Sequence, residues 1–164
     1  MSAGIPLHMK LPKQQIAAKK QVVAVSGGFD PIHIGHVRLI QEAAALGNEL
    51  VVILNNDNWL RSKKGFVFMP QTERKELLEA VRGVTRVVLS KHGKNPEDMS
   101  VAAELERIHP DIFANGGDRG RGNTPEGLVC RKLGIKQAFN VGKGGKIQSS
   151  SWLVAKSASK SPKK

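Results

Sequence analysis

Apolar runs alternate with polar loops and divide residues 21–154 into strands and helices. Short runs rich in β-branched residues, each followed by glycine or polar residues, predict buried strands. The five such runs are Gln21–Ser26, Glu49–Leu54, Thr85–Leu89, Asp111–Ala114 and Lys136–Val141. Between them, apolar residues recur at helical spacing. The predicted helices are Gly35–Leu46, Gln71–Val81, Ser100–Ile108, Thr124–Leu133 and a short last helix from about Ser149.

The order of these elements predicts a fold class. Strands separated by helices form βαβ units, in which parallel strands are covered by helices on both faces. We therefore expect a Rossmann-like, doubly wound α/β domain with a five-stranded, mainly parallel sheet. No repeat or linker divides residues 21–154, so one domain is expected there, between a basic segment (1–20) and a basic tail (155–164).

Polar or glycine-rich segments follow four of the predicted strands. These segments are 27–36, 55–58, 115–123 and 142–150. In open parallel sheets, ligands bind beyond the carboxyl ends of the strands, near the point where the strand order reverses. The sequence therefore predicts one ligand site built from these four loops.

The net charge of +12 is concentrated at the two ends of the chain. Residues 1–20 and 155–164 hold four lysines each and no acidic residue, so 18 basic and 14 acidic residues leave +4 between them. Such segments bury little apolar area, and we expect both to be flexible. A nucleic-acid partner is therefore not expected. Whether the native chain starts at Met9, with Met1–His8 as an added leader, is left open.

Composition excludes several other classes of protein. Apolar residues make up 40% of the chain, which is enough for a core. No apolar run approaches the roughly 20 residues that a membrane-spanning helix needs, and the N-terminus lacks a signal-peptide pattern. We expect a cytoplasmic protein without a membrane partner. The single Cys130 cannot form an internal disulfide.

The tetrad His33-Ile34-Gly35-His36 follows the first predicted strand through Gly27-Gly28-Phe29-Asp30-Pro31. Glycine lets the backbone approach a ligand closely, and the first N–H groups of a helix attract phosphate. Two imidazoles add side-chain donors at the same place. The segment therefore predicts a site for the phosphates of a nucleotide, although it fits neither the GxGxxG nor the GxxxxGK[ST] pattern.

Two histidines at this spacing also suit a metal pair or incidental surface residues. Zinc would need further protein ligands, and His8, His92 and His109 lie in segments with no reason to converge. Phosphate binding is favoured over both alternatives, and no protein side chain is expected to bind a metal directly.

The segment GGFDPIHIGH resembles the first signature of the cytidylyltransferase-like nucleotidyltransferases, which share the HxGH tetrad with class I aminoacyl-tRNA synthetases. Ile147–Ser151 is similar to the second signature, which opens the last helix. The resemblance runs from about Val22 to Trp152 and is closest in layout to glycerol-3-phosphate cytidylyltransferase and the adenylyltransferase domain of heptose-phosphate biosynthesis. Gln148 departs from the usual Ser or Thr, and the arginine that several relatives carry after the serines is missing.

The resemblance implies a role for each matching residue. His33, His36 and Lys63, which we place on the loop after the second strand, would be catalytic. The residues implied in nucleotide binding are Gly27, Gly28, Phe29, Asp30, Gly35, Gly117, Asp118, Ser149 and Ser150. Those implied in binding the acceptor or a phosphate are Asp57, Arg74, Arg119 and Lys146.

The activity that the resemblance implies is transfer of a nucleoside monophosphate from an NTP, CTP before ATP, to a small phosphorylated acceptor such as a polyol or sugar phosphate. Pyrophosphate would be released. Such a reaction asks the protein mainly to position reactants and neutralise charge. Mg²⁺ is expected with the NTP, held chiefly by phosphate oxygens and water, and a homodimer is expected. The alternative is a non-catalytic nucleotide-binding or nucleic-acid-associated protein on the same fold.

Overall fold

The computed structural model of the protein describes residues 19–117, 119–120, 122, 124–142 and 144–159. Within them the chain forms five strands and six helices. The strands are β1 (Val22–Gly27), β2 (Glu49–Leu54), β3 (Arg86–Leu89), β4 (Ile112–Gly116) and β5 (Lys136–Val141). The helices are α1 (Ile34–Ala44), α2 (Asp57–Lys64), α3 (Gln71–Glu79), α4 (Ala102–Ile108), α5 (Gly127–Leu133) and α6 (Ser150–Ala158).

The five strands form one sheet in the order β3-β2-β1-β4-β5, and every neighbouring pair is parallel. The chain moves outward from β1 to β3, then returns to the other side of β1 with β4. The strand order therefore reverses between β1 and β4, which is where ligands bind in sheets of this kind. The predicted doubly wound α/β fold is confirmed.

Alternation along the strands divides the core between the two faces of the sheet. Val23 and Val25 of β1 pack with Ile40 of α1 and Leu78 of α3. Ala24, which lies between the two valines, packs on the other face with Leu105 of α4 and with α5. Since successive side chains of a strand point to opposite faces, the consecutive apolar residues Val23, Ala24 and Val25 let helices cover β1 on both sides.

The segment between β2 and α3 differs from the sequence-based expectation. Residues 55–58 and Lys63 were expected on a loop, whereas the structure contains the helix α2 at Asp57–Lys64. The Asn56 side chain caps this helix by accepting a hydrogen bond from Trp59 N–H at 3.0 Å, and Gly65 ends it in the left-handed conformation with φ of 83°. Asparagine at an N-cap and glycine after the last turn both favour a helix.

The end of the chain also differs from expectation. Helix α6 continues through Ala158, so residues 155–158 belong to it rather than to a separate tail. Residues 1–18 and 160–164 lie outside the described part of the chain. Within that part, no helix is long and apolar enough to cross a membrane.

Candidate active site

A cavity of about 300 Å³ opens at the carboxyl edge of the sheet, beside β1 and β4. Most of its lining comes from three groups of residues: the end of β1 with the loop and helix that follow, the end of β4 with the residues after it, and the segment from the end of β5 into α6. Lys64 of α2 also lines it. The predicted residues among them are Gly27, Gly28, Phe29, His33, Gly35, His36, Gly117, Arg119, Lys146, Ser149 and Ser150. The structure thus brings most of the predicted site together from distant parts of the sequence.

The two histidines of the tetrad are held in one orientation by backbone N–H groups. His33 is the N-cap of α1, and its Nδ1 accepts a hydrogen bond from Gly35 N–H at 3.1 Å. His36 Nδ1 accepts from His33 N–H at 3.2 Å, and the two rings stack with centroids 3.7 Å apart. Because a nitrogen that accepts a hydrogen bond carries no proton, each neutral ring has its proton on Nε2. Each Nε2–H is therefore a donor, and no described residue accepts from it.

Both rings are held in the neutral form. Burial lowers the pKa of His36 from 6.5 to about 3, with smaller contributions from the neighbouring His33 and Lys64. Burial and then Lys64 also lower the pKa of His33. The histidines therefore enter any reaction near neutral pH as N–H donors rather than as cations or proton acceptors.

The partly buried His36, whose pKa is lowered, makes the free energy of unfolding depend on pH. As the pH falls from 6.5 toward 3, the unfolded chain binds a proton at this ring that the native protein does not, so stability is lost in this window and not above it. Between pH 6.5 and 3, the unfolding free energy of the wild type should fall more steeply with decreasing pH than that of His36→Asn. We expect the two slopes to differ by up to about 1.4 kcal/mol per pH unit. Asparagine offers an oxygen at the Nδ1 position but does not titrate in this range. Urea unfolding of both proteins at several pH values measures the difference, and equal slopes would contradict the buried, neutral ring.

Helix α6 brings a second N-terminus to the cavity. Its N-cap, Ser149, makes no side-chain capping hydrogen bond, so the hydroxyl and the first N–H groups of this nine-residue helix are available to a ligand. Ser150 Oγ donates to Pro31 O at 2.8 Å, which fastens α6 to the loop after β1. The N-termini of α1 and α6 thus border one cavity, where their N–H groups and dipoles favour an anion.

The lysine of α2 that lines the cavity is Lys64, and the predicted Lys63 does not line it. Lys64 Nζ donates to Asp30 O at 3.1 Å. Burial lowers the pKa of Lys64, while the nearby Asp30 favours its charged form. Lys63 is exposed on α2 and lies outside the cavity wall. Helical spacing from the buried Leu60 places both Lys63 and Lys64 near its face, so the sequence alone does not distinguish them.

Three other predicted residues lie behind the cavity wall. The Asp30 carboxylate is buried and accepts from Phe68 N–H and Met69 N–H. Arg74 is also buried, and its guanidinium pairs with Asp57 at 2.6 Å. None of the three lines the cavity.

The described wall of the cavity is electropositive. It contains Lys64, Arg119 and Lys146 and no Asp or Glu, and Lys146 Nζ also lies 5.7 Å from the Trp152 ring centre. The predicted Asp118 lies outside the described residues. Within those residues, no cluster of three or more His, Cys, Asp or Glu side chains is arranged to hold a metal ion. The donor set therefore fits phosphate oxygens better than a protein-bound cation.

The chain is similar to one family of known proteins and to several of its members. The family model described as cytidylyltransferase-like matches residues 24–129. The FAD synthase of Pyrococcus horikoshii is 38% identical over 102 residues, which cover 62% of this chain and 66% of that protein. The bifunctional protein HldE of Citrifermentans bemidjiense is 38% identical over 116 residues, which cover 70% of this chain and 22% of that protein. The chain thus spans less than two thirds of the length of either relative.

A solved structure shares the fold. The lipopolysaccharide core biosynthesis protein from Thermoplasma volcanium GSS1 superimposes with a TM-score of 0.57 and 27% identity, over 73% of this chain and 93% of that protein. That structure therefore supports the α/β fold described above.

Proposed function

Because the chain belongs to the cytidylyltransferase-like family of nucleotidyltransferases, we propose that it transfers an adenylyl group from ATP to the phosphate of a small acceptor and releases pyrophosphate. The observation that carries the proposal is the pair of helix N-termini beside one electropositive cavity, with two neutral imidazoles at the N-terminus of α1. This arrangement offers N–H donors to several phosphate groups at once.

The choice of ATP rests on a relative's name. FAD, the product named for the synthase, is a flavin mononucleotide joined to an adenylyl group, so ATP is the matching donor. The sequence-based preference for CTP is not tested by these comparisons, and CTP stays in the experiment as the competing donor. Flavin mononucleotide and sugar phosphates are the acceptors that the names of the relatives suggest, and each fits the expected phosphorylated acceptor.

The proposed reaction is an in-line displacement at the α-phosphorus. An oxygen of the acceptor phosphate forms a bond to that phosphorus while the bond to the bridging oxygen of the β-phosphate breaks, and pyrophosphate leaves with the electron pair. A phosphate monoester is largely a dianion at neutral pH, so it attacks without a general base. The protein's contribution is to hold both reactants and to donate hydrogen bonds where negative charge develops.

The described residues divide this task between the two helix N-termini. The Nε2–H groups of His33 and His36 act at the α-phosphate and the leaving oxygen. Ser149 and the N-terminus of α6 hold the outer phosphates, and Lys64 neutralises charge from the opposite side. Mg²⁺ bound with the NTP would supply positive charge to the leaving pyrophosphate, and phosphate oxygens and water would hold it.

A pyrophosphate-release screen tests the proposal. The four NTPs are each combined with Mg²⁺ and with flavin mononucleotide, glycerol phosphate or a panel of sugar phosphates. We expect turnover with ATP and one acceptor class, with transfer confirmed by mass spectrometry of the product. Turnover with CTP alone would show that the donor is CTP rather than ATP. Tight NTP binding without turnover for any acceptor would overturn the enzymatic function in favour of a nucleotide-binding role.

The proposal also covers the oligomeric state, the location and the partners of the protein. We propose a cytoplasmic homodimer without a membrane or nucleic-acid partner. The concentration of the positive charge at the two ends of the sequence argues against a nucleic-acid partner. Light scattering after size-exclusion chromatography measures the oligomeric state. Salt-sensitive retention of DNA or RNA that is lost on removing residues 155–164 would instead support a role on nucleic acid.

A further inference from the structure

Arg74 joins three separate segments of backbone beneath the cavity. Its side chain is completely buried, and it donates to Gly28 O at 2.7 Å, Asn55 O at 2.8 Å and Met69 O at 2.8 Å. With the Asp57 carboxylate, these partners occupy Nε and both terminal nitrogens. The guanidinium thus connects the loop after β1, the end of β2 and the segment before α3.

The contact with Gly28 O determines the direction of the next N–H group. In a trans peptide the C=O and the following N–H point in opposite directions. Because Gly28 O points toward Arg74, Phe29 N–H points away from Arg74, on a loop whose Gly28 and Phe29 line the cavity. No described residue accepts a hydrogen bond from Phe29 N–H, although Phe29 is 2% exposed.

Phe29 also has an unusual backbone conformation. Its φ is 50°, in the left-handed region that a bulky residue rarely adopts. Such conformations persist when surrounding contacts hold them and are frequent at functional sites. The contacts here are Arg74 on Gly28 O, the Asp30 carboxylate on the segment before α3, and the ring of Phe29, which meets His36 edge-on with centroids 4.8 Å apart.

We propose that Arg74 is a positioning residue: it fixes the Gly28–Phe29 peptide so that Phe29 N–H is ready to donate to a phosphate oxygen of the bound NTP. This inference rests on the proposed function, because it assumes a phosphate ligand in the cavity. It assigns Arg74 a role through the backbone, without contact with either substrate.

The first test reads Phe29 directly and needs no turnover. The chain has five phenylalanines, so ¹⁵N-phenylalanine labelling gives a simple amide spectrum, and Phe29→Leu identifies the signal. We expect Mg-ATP to move the Phe29 amide proton of the wild type downfield. A Phe29 amide that stays in place while ATP binds would overturn the inference, whether or not the protein turns over.

The second test separates positioning from folding. Arg74→Lys keeps one charge but cannot reach three carbonyls, and we expect kcat to fall about 10- to 100-fold with KM for ATP changed less than about threefold. The control is Leu78→Val, a change on the same helix at a fully buried core position, which lowers the melting temperature but is expected to keep kcat. A folded Arg74→Lys with wild-type kcat would overturn the inference. Absence of turnover in the wild type would count only against the proposed function, since the amide shift is measured independently.

Discussion

Replacing His36 with alanine is expected to lower kcat/KM for pyrophosphate release by at least about 100-fold. The loss follows from the orientation of the ring: Nδ1 accepts from His33 N–H, which leaves Nε2–H as a donor fixed before the substrate arrives. Preset donors act most strongly where negative charge develops in the transition state, each contributing about 3 kcal/mol. The measurement is steady-state pyrophosphate release with the NTP and acceptor found in the screen.

Two further variants make this prediction specific. His36→Gln carries an N–H group near the Nε2 position, and we expect it to retain more activity than His36→Ala. His109→Asn removes an exposed histidine outside the cavity and is expected to stay within about twofold of the wild type. A His36→Ala protein that keeps its fold and more than a tenth of the wild-type kcat/KM would contradict the proposed role of the tetrad.

Replacing Lys64 with alanine is expected to lower kcat/KM about 10- to 100-fold, and at least tenfold more than Lys63→Ala. The structure separates these neighbours, because Lys64 lines the cavity and reaches Asp30 O, whereas Lys63 is exposed on the outer side of α2. The two variants remove the same charge from adjacent positions, so each serves as the matched control of the other. Kinetics and melting temperatures are compared under one set of conditions.

The opposite ranking would return the catalytic role to Lys63, as the sequence alone suggests. Lys64→Arg adds a further distinction. A guanidinium keeps the positive charge but is larger and planar, so partial activity would indicate that charge matters, and complete loss would indicate that the shape of the cavity wall also matters.

The elements with strong periodicity were predictable from the sequence. All five strands were found, because each combines β-branched residues with a polar or glycine-rich end. The α1 helix was found because its apolar positions recur over three turns. Helix α2 was missed because it is short, has Leu60 as its single fully buried residue, and begins in four polar residues that also suit a loop. Its capping residues were the available signal.

The cavity was predictable where one continuous segment carries the chemistry, as in the tetrad and the serines of α6. Asp30 and Arg74 were assigned to binding, but both are engaged beneath the cavity by partners 17 to 46 residues away along the chain. Sequence reasoning gives the residue type and the neighbouring motif, but the direction of a side chain depends on contacts that form only when the sheet brings distant segments together. The motif was therefore enough to place its loop at the cavity, but the position of Asp30 and Arg74 beneath the cavity could not be predicted from the sequence.

The hydrogen bond from Ser150 Oγ to Pro31 O joins residues that are 119 positions apart. During translation, the tetrad therefore leaves the ribosome long before the helix that completes its cavity. A nascent chain without α6 has the histidines but lacks the second helix N-terminus at the cavity, so the proposed triphosphate site is incomplete at that stage. The proposed nucleotide site therefore depends on a contact between distant parts of the chain, and it is complete only after α6 has been synthesised and packed against the loop after β1.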